Sequence, residues 1–274
     1  MRQLKRLTVV SVLALLCIAA AGRLEQLLAA PVPLTGGDLA EALRLGAWAQ
    51  PATWQIAGAA AAGLVLAHPK VAWPALRRLL TLFHEAGHVA IATVYGARPH
   101  GLVVNGDGSG HAAFAWPRRR TPLRRFAHAS VAFAGEVSAP LFVLASVHLL
   151  LTVGPLPVWG LLAAVGAAAL LLSRSLLAFT LAGLVVAAAA TALSPQLASW
   201  SFSAAVVLLA ALTATSAIDL FQKLSGGTFD AGSDQRVVAA KVFVPARIVM
   251  VAQTLIGWAA TAAAGYTLAV GVAM

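Results

Sequence analysis

His84 and His88 stand four residues apart with Glu85 beside the first, in the string His84-Glu85-Ala86-Gly87-His88. On a helix, an i, i+4 pair lies one above the other on a single face. Two imidazoles so placed can grip one zinc ion, with the adjacent carboxylate as general base for a coordinated water. The chain has seven His and four Glu in 274 residues. Chance would produce the pattern in roughly 0.3% of such chains. The string also lies in an apolar segment, Leu79 to Tyr95, of the helical character the motif needs.

A catalytic zinc site requires a third protein ligand and one open position. Asp219 ranks first among the candidates. It ends an apolar helix, where an ionised carboxylate is costly without a partner. Asp234, in Gly232-Ser233-Asp234-Gln235, ranks second, because Ser-Asp before a helix is equally a capping signature. Glu136 ranks third; it is mid-span, where it could instead pair with His128 or an arginine. His100, His111 and His148 are weaker candidates. Such a site lowers the pKa of its water toward ~7, Glu85 takes the proton, and the leaving amine receives it. The chemistry is peptide hydrolysis.

The elements that must carry these residues are set by composition. Hydrophobic residues make up 60% of the chain and charged ones 10%, with a mean hydropathy of +0.86. A soluble domain cannot hide that much apolar surface, so the solvent is lipid. The formal net charge is +10, but the cations cluster in short loops between apolar spans. Positive-inside topology and anionic headgroups account for them better than nucleic acid does. The single cysteine, Cys17, excludes a disulfide within one chain. Leu16 before it argues against a lipoprotein signal.

Arg2, Lys5 and Arg6 precede an apolar run over residues 7–21, read as a retained first anchor or a signal-like span. Residues 23–51 read as interfacial amphipathic pieces. The expected organisation is this N-terminal part, residues 1–53, followed by one membrane-embedded domain, residues 54–274. The domain opens with a short apolar run, Trp54 to Ala67. A motif helix follows, from Pro74, which suits a first turn, to Gly96, which suits a stop. Leu102-Val103-Val104, a glycine-rich turn and Ala112 to Trp116 predict a β-hairpin whose edge could hold an extended substrate backbone. Apolar spans are expected over Phe126–Val153, Val158–Leu172, Leu176–Leu193, Ser201–Phe221 and Ala246–Val272. The fold class is thus an all-α polytopic membrane protein of about seven or eight transmembrane helices plus one hairpin. Basic residues at 118–125, at Arg174, and at Lys223, Arg236 and Lys241 all fall on one side, which positive-inside makes cytoplasmic. Lys70, Arg77 and Arg78 fall on the other. An interfacial first segment or a partly inserted motif helix would explain them.

At this point the chain resembles the site-2 protease family of intramembrane zinc metalloproteases, most closely its compact bacterial B-like branch. The resemblance is carried by Phe83-His84-Glu85-Ala86-Gly87-His88-Val89-Ala90, Val94-Tyr95-Gly96 and Asp107-Gly108-Ser109-Gly110. Ser173-Arg174-Ser175-Leu176, Ser216-Ala217-Ile218-Asp219-Leu220 and Ser233-Asp234 follow in order, and the whole covers about residues 54–270. It implies that His84 and His88 ligate Zn²⁺, that Glu85 is the catalytic acid/base, and that the site opens toward the cytoplasm of a bacterial inner membrane. The implied substrate is a transmembrane segment of another protein, and membrane lipids are the other partner. The chain departs from the family pattern in lacking a Leu-Asp-Gly element, since Leu220 follows Asp219, and in lacking a PDZ-like segment. The competing reading is a non-enzymatic transporter or sensor with a closed structural zinc site. A metal-free membrane protein stands behind both.

Overall fold

A computed structural model describes residues 53–68, 70–116, 123–193, 198–226 and 233–273. The N-terminal span and interfacial pieces expected over residues 1–51 lie outside the described residues, as do Arg118 to Arg120. The described part holds eight helices and one hairpin. In chain order these are α1 (Thr53–Leu66), α2 (Trp73–Val94), β1 (Arg98–Val104), β2 (Gly110–Ala115), α3 (Leu123–Thr152), α4 (Pro155–Leu172), α5 (Leu176–Ala192), α6 (Ala198–Gly226), α7 (Asp234–Val242) and α8 (Ala246–Ala273).

Four helices, α3, α4, α6 and α8, are each long and apolar enough to cross a bilayer, as in a multi-pass membrane protein. The apolar α1 and α5 have 14 and 17 residues, ~21 and ~26 Å at 1.5 Å per residue. By themselves they fall short of a ~30 Å hydrocarbon core. α2 is long enough but carries Arg77, Arg78, His84, Glu85 and His88. α2 begins with proline in its first turn, where no amide hydrogen is missed. It ends as Ala97 N–H donates to Ala92 O and Gly96 takes φ +77°, a left-handed stop suited to glycine.

Contacts fix the direction of each helix. α2 and α3 run antiparallel: Phe83 stacks on Phe142 at 4.5 Å, His88 meets Val131, and Tyr95 packs on Phe126. α3 and α8 run parallel. Val249 packs with Ala132, Gln253 donates to Phe133 O, and Gly257 faces Pro140. α6 opposes α8, with Ser216 beside Thr261 and Leu220 beside Gly257. Hence α2 ends, α3 begins, α6 ends and α8 begins on one face. Arg124, Arg125 and Arg247 sit at those helix ends, on what we call the basic face. The apolar core lies between the helices, around Val143, Val147, Val158, Leu162, Leu209 and Leu212, all at most 2% exposed.

The hairpin is antiparallel, with Leu102 opposite Ala112 and an irregularity between Pro99 and Gly101. It folds back along α2. Arg78 donates twice to Gly106 O, at 3.0 and 2.7 Å, and Thr81 Oγ1 donates to Gly108 O at 2.7 Å. At the turn Asp107 accepts from the Ser109 amide and hydroxyl, which holds its carboxyl below the usual range. The α4–α5 connection closes the outer edge of β1. Ser173 bridges Leu102 in parallel, Arg174 N–H donates to Leu102 O at 2.8 Å, and the Ser175 hydroxyl meets both the N–H and C=O of Val104. Among the described residues, the hairpin edge without a strand neighbour is that of β2.

Candidate metal centre

α2 places His84, Glu85 and His88 on its buried side, against α3 and the hairpin. Glu85 is 3% exposed. His84 Nε2 and His88 Nε2 lie 3.1 Å apart. Asp234, the first residue of α7, points its Oδ2 at both, at 3.1 Å from His84 and 3.2 Å from His88. Among the described residues, these three are the ones whose ligand atoms converge closely enough to hold a metal ion. Donors ~2.0–2.1 Å from a common ion in tetrahedral geometry are ~3.3 Å apart, so this triangle fits zinc with little adjustment. The donor set, two imidazoles and one carboxylate, suits zinc as well. His88 Nδ1 lies 2.7 Å from Val131 O, the outer hydrogen bond that fixes a ligating imidazole's tautomer. Burial alone would push the Asp234 carboxyl up. Hydrogen bonds and charge from His84 and His88 outweigh it and hold the group well below the usual carboxylate range.

Two glycines leave room for this arrangement. A Cβ on Gly135 of α3 would overlap Cε1 and Nε2 of His88 and stand 2.9 Å from His84 Nε2. A Cβ on Gly110 of β2 would stand 2.7 Å from Glu85 Oε1 and 2.9 Å from Val103 O. Glu85 Oε2 is buried without a hydrogen-bond partner among the described residues. It is a carboxylate oxygen free to accept a proton from water.

Asp219, ranked first on sequence, is not with the histidine pair. Its carboxylate lies 3.0 Å from Lys223 Nζ, one turn on along α6, and 3.5 Å from Arg77 Nε. The cost of an acid near the end of an apolar helix is met by these cations. Glu136 joins the same network, 2.7 Å from Lys223 Nζ. Asp234, ranked lower because of its capping signature, is the acid that reaches the pair. Ser233 is the N-cap residue of α7, yet its side chain makes no cap hydrogen bond. Of the weaker candidates, His111 of β2 lines a cavity with the site, His100 holds Arg174 through its carbonyl, and the His148 carbonyl accepts from Thr152. Sequence reasoning missed the roles of Lys223, Gly110 and Gly135. The i, i+4 spacing of Asp219 and Lys223 was the one available signal.

Two cavities meet at Glu85. One, about 180 Å³, is lined by Arg77, Glu136, Asp219 and Lys223. The other, about 380 Å³, is lined by His88, Asp234 and the β2 residues Gly110 to Ala112 and Phe114. The first carries those charged side chains beside apolar ones such as Leu80, Pro140 and Leu220; the second runs beside the open strand edge.

No curated protein and no solved structure gave a match to the chain. Residues 56–264, well over half of it, match the family model described as Peptidase M50B-like. That span takes in the histidine pair, the hairpin and Asp234, and the chain belongs to this family of site-2 protease-like metallopeptidases.

Proposed function

We propose that the protein is a zinc endopeptidase that cuts peptide bonds in membrane-embedded segments of other proteins. The observation that carries this reading is the convergence of His84, His88 and Asp234 beside the unpartnered oxygen of Glu85. His84, His88 and Asp234 would hold the ion, in place of the set with Asp219 expected from sequence. When bound, zinc makes water more acidic and a carbonyl more electrophilic. Glu85 takes the water proton and passes it to the departing amine nitrogen as the C–N bond breaks. The open edge of β2 runs along the larger cavity and presents backbone groups to an unwound substrate segment, which pairs as an added strand. A helical substrate must open before attack, and pairing compensates the broken backbone bonds.

The basic face is cytoplasmic in this reading. The histidine pair is level with Val131 to Gly135, seven to eleven residues in from Arg124, ~10–16 Å along α3. The site therefore lies below the cytoplasmic surface of the membrane, a bacterial inner membrane. α1, α2 and α5 enter the bilayer beside the four long helices, which makes seven among the described residues. Residues 54–274 act as one domain.

Two measurements on purified, reconstituted protein test this. Glu85→Gln should retain zinc and lose ~10²–10⁴-fold in cleavage of a transmembrane reporter. Asp234→Ala should lose zinc while Asp219→Ala keeps it. Wild-type cleavage by Glu85→Gln, or zinc retained by Asp234→Ala, would overturn the mechanism or the ligand set respectively.

A further inference from the structure

α7 runs antiparallel to α3, from the depth of the histidine pair back to the basic face. Asp234 meets His84 and His88 at one end. Val238 packs on Ala132 in the middle. At the other end Phe243 lies under the Arg125 guanidinium, 5.8 Å from ring centroid to carbon. Lys241 and Arg124 both stand close enough to His128 to act on its charge. Arg247 follows in the first turn of α8. Among the described residues, none of Arg124, Arg125, Lys241 and Arg247 forms an ion pair with a carboxylate.

The apolar groups between these cations face outward. Phe243 is 81% exposed, Phe126 63% and Ile248 57%. Phe243 also adopts φ 59°, ψ 35°, a left-handed conformation that glycine takes freely and phenylalanine rarely does. It is the one non-glycine residue with positive φ among those described. A bulky ring held in a strained cap and turned away from the core calls for an environment that rewards it. That environment follows from the fold. Two membrane-crossing helices, α3 and α8, begin within a few residues of this patch on the same face, so the patch lies at the level of the lipid headgroups. Cations with interleaved aromatic and aliphatic groups at that level match anionic phospholipid: phosphates for the cations, upper acyl chains for Phe243, Phe126 and Ile248.

We infer that the C-terminal end of α7, with the first turns of α3 and α8, is a docking surface for anionic phospholipid headgroups, and that bound lipid holds α7 against α3. The consequence is a lipid-dependent position for the helix whose other end carries Asp234. This goes beyond a general preference of basic loops for the cytoplasmic side, because a sidedness signal alone requires no exposed ring and no response of α7 to lipid charge. It also stands apart from whether Asp234 holds an ion.

The test is amide hydrogen exchange over residues 234–242 in nanodiscs of phosphatidylcholine alone and of phosphatidylcholine mixed with phosphatidylglycerol. Wild type should exchange several-fold more slowly in the anionic discs, since each cation near an anionic surface gives roughly a five-fold preference. Arg125→Gln/Lys241→Gln/Arg247→Gln should exchange at one rate in both. Phe243→Gly, which relieves the left-handed strain and so keeps the fold, should lose part of the lipid-dependent protection. Equal wild-type rates in the two lipids would overturn the inference. So would a triple variant that still distinguishes them, or inorganic phosphate added to neutral discs reproducing the full protection.

Discussion

Gly135 offers no ligand atom, yet the approach of His84 and His88 in the candidate metal centre depends on its lack of a side chain. Gly135→Ala would drive a methyl group into both imidazoles. We expect zinc content to fall to background with helix content unchanged, measured by metal analysis beside circular dichroism. Gly110→Ala separates the functions. Its methyl group meets Glu85 Oε1 rather than the histidines, so zinc should stay while reporter cleavage falls about 10²-fold from misplacing the base. The legibility of the site divides along the same line. His84, Glu85 and His88 were readable because one helix relates them by a fixed period. Asp234 was visible only as a candidate, since α7 brings it to the pair through tertiary packing that no spacing encodes. The two glycines were unreadable, because close approach of another chain segment leaves no local mark. Asp219 misled because its two cations, Lys223 and Arg77, come from its own helix and from α2, and the second of these is a contact only the fold creates.

The hairpin is the element on which substrate handling rests in the proposed mechanism, and four side chains of α2 and the α4–α5 connection hold it, Arg174 among them through His100 O. Arg78 and Thr81 tie its turn to α2; Ser175 ties β1 to the α5 N-terminus. Arg78→Ala with Thr81→Val removes the hydrogen bonds to Gly106 and Gly108. The turn should then lose about 1–2 kcal/mol of local stability, seen as faster amide exchange over residues 105–110, with zinc retained and cleavage reduced. Most elements were legible beforehand. The hairpin, the motif helix and the long spans lie within a few residues of the expected bounds, because apolar length, proline starts and glycine stops are local signals. α7 was not foreseen as a helix of its own. Its nine residues, Asp234–Val242, are too short and polar to stand out, and it is held by Ala132 and Val249 from two other helices.

At the scale of the molecule, charge is sorted between the surface and the interior. The network of Arg77, Asp219, Lys223 and Glu136 joins α2, α6 and α3 around the smaller cavity. Removing Lys223 leaves Glu136 without its cation and Asp219 with Arg77 alone, so Lys223→Met should lower the melting temperature in detergent. Adding Asp219→Asn and Glu136→Gln to it should restore most of the loss. A loss of ~1–3 kcal/mol is expected for the single change, toward the lower end because Lys223 is 37% exposed. The gathering of Arg124, Arg125 and Arg247 at one face was legible from the basic loops of the C-terminal two thirds. The placement of Arg77 and Arg78 was not, because they serve the acid of α6 and the hairpin turn rather than mark a membrane face. The closure of β1 by Ser173 to Ser175 has one more consequence. A ribbon with two bare edges could stack with its counterparts from neighbouring molecules and grow without limit. Here the β1 edge is already met from within the same chain at Leu102 and Val104, so in the proposed mechanism a guest strand can join the hairpin only along β2. Two hairpins facing each other across β2 could still pair once, but neither could pass strands on through β1.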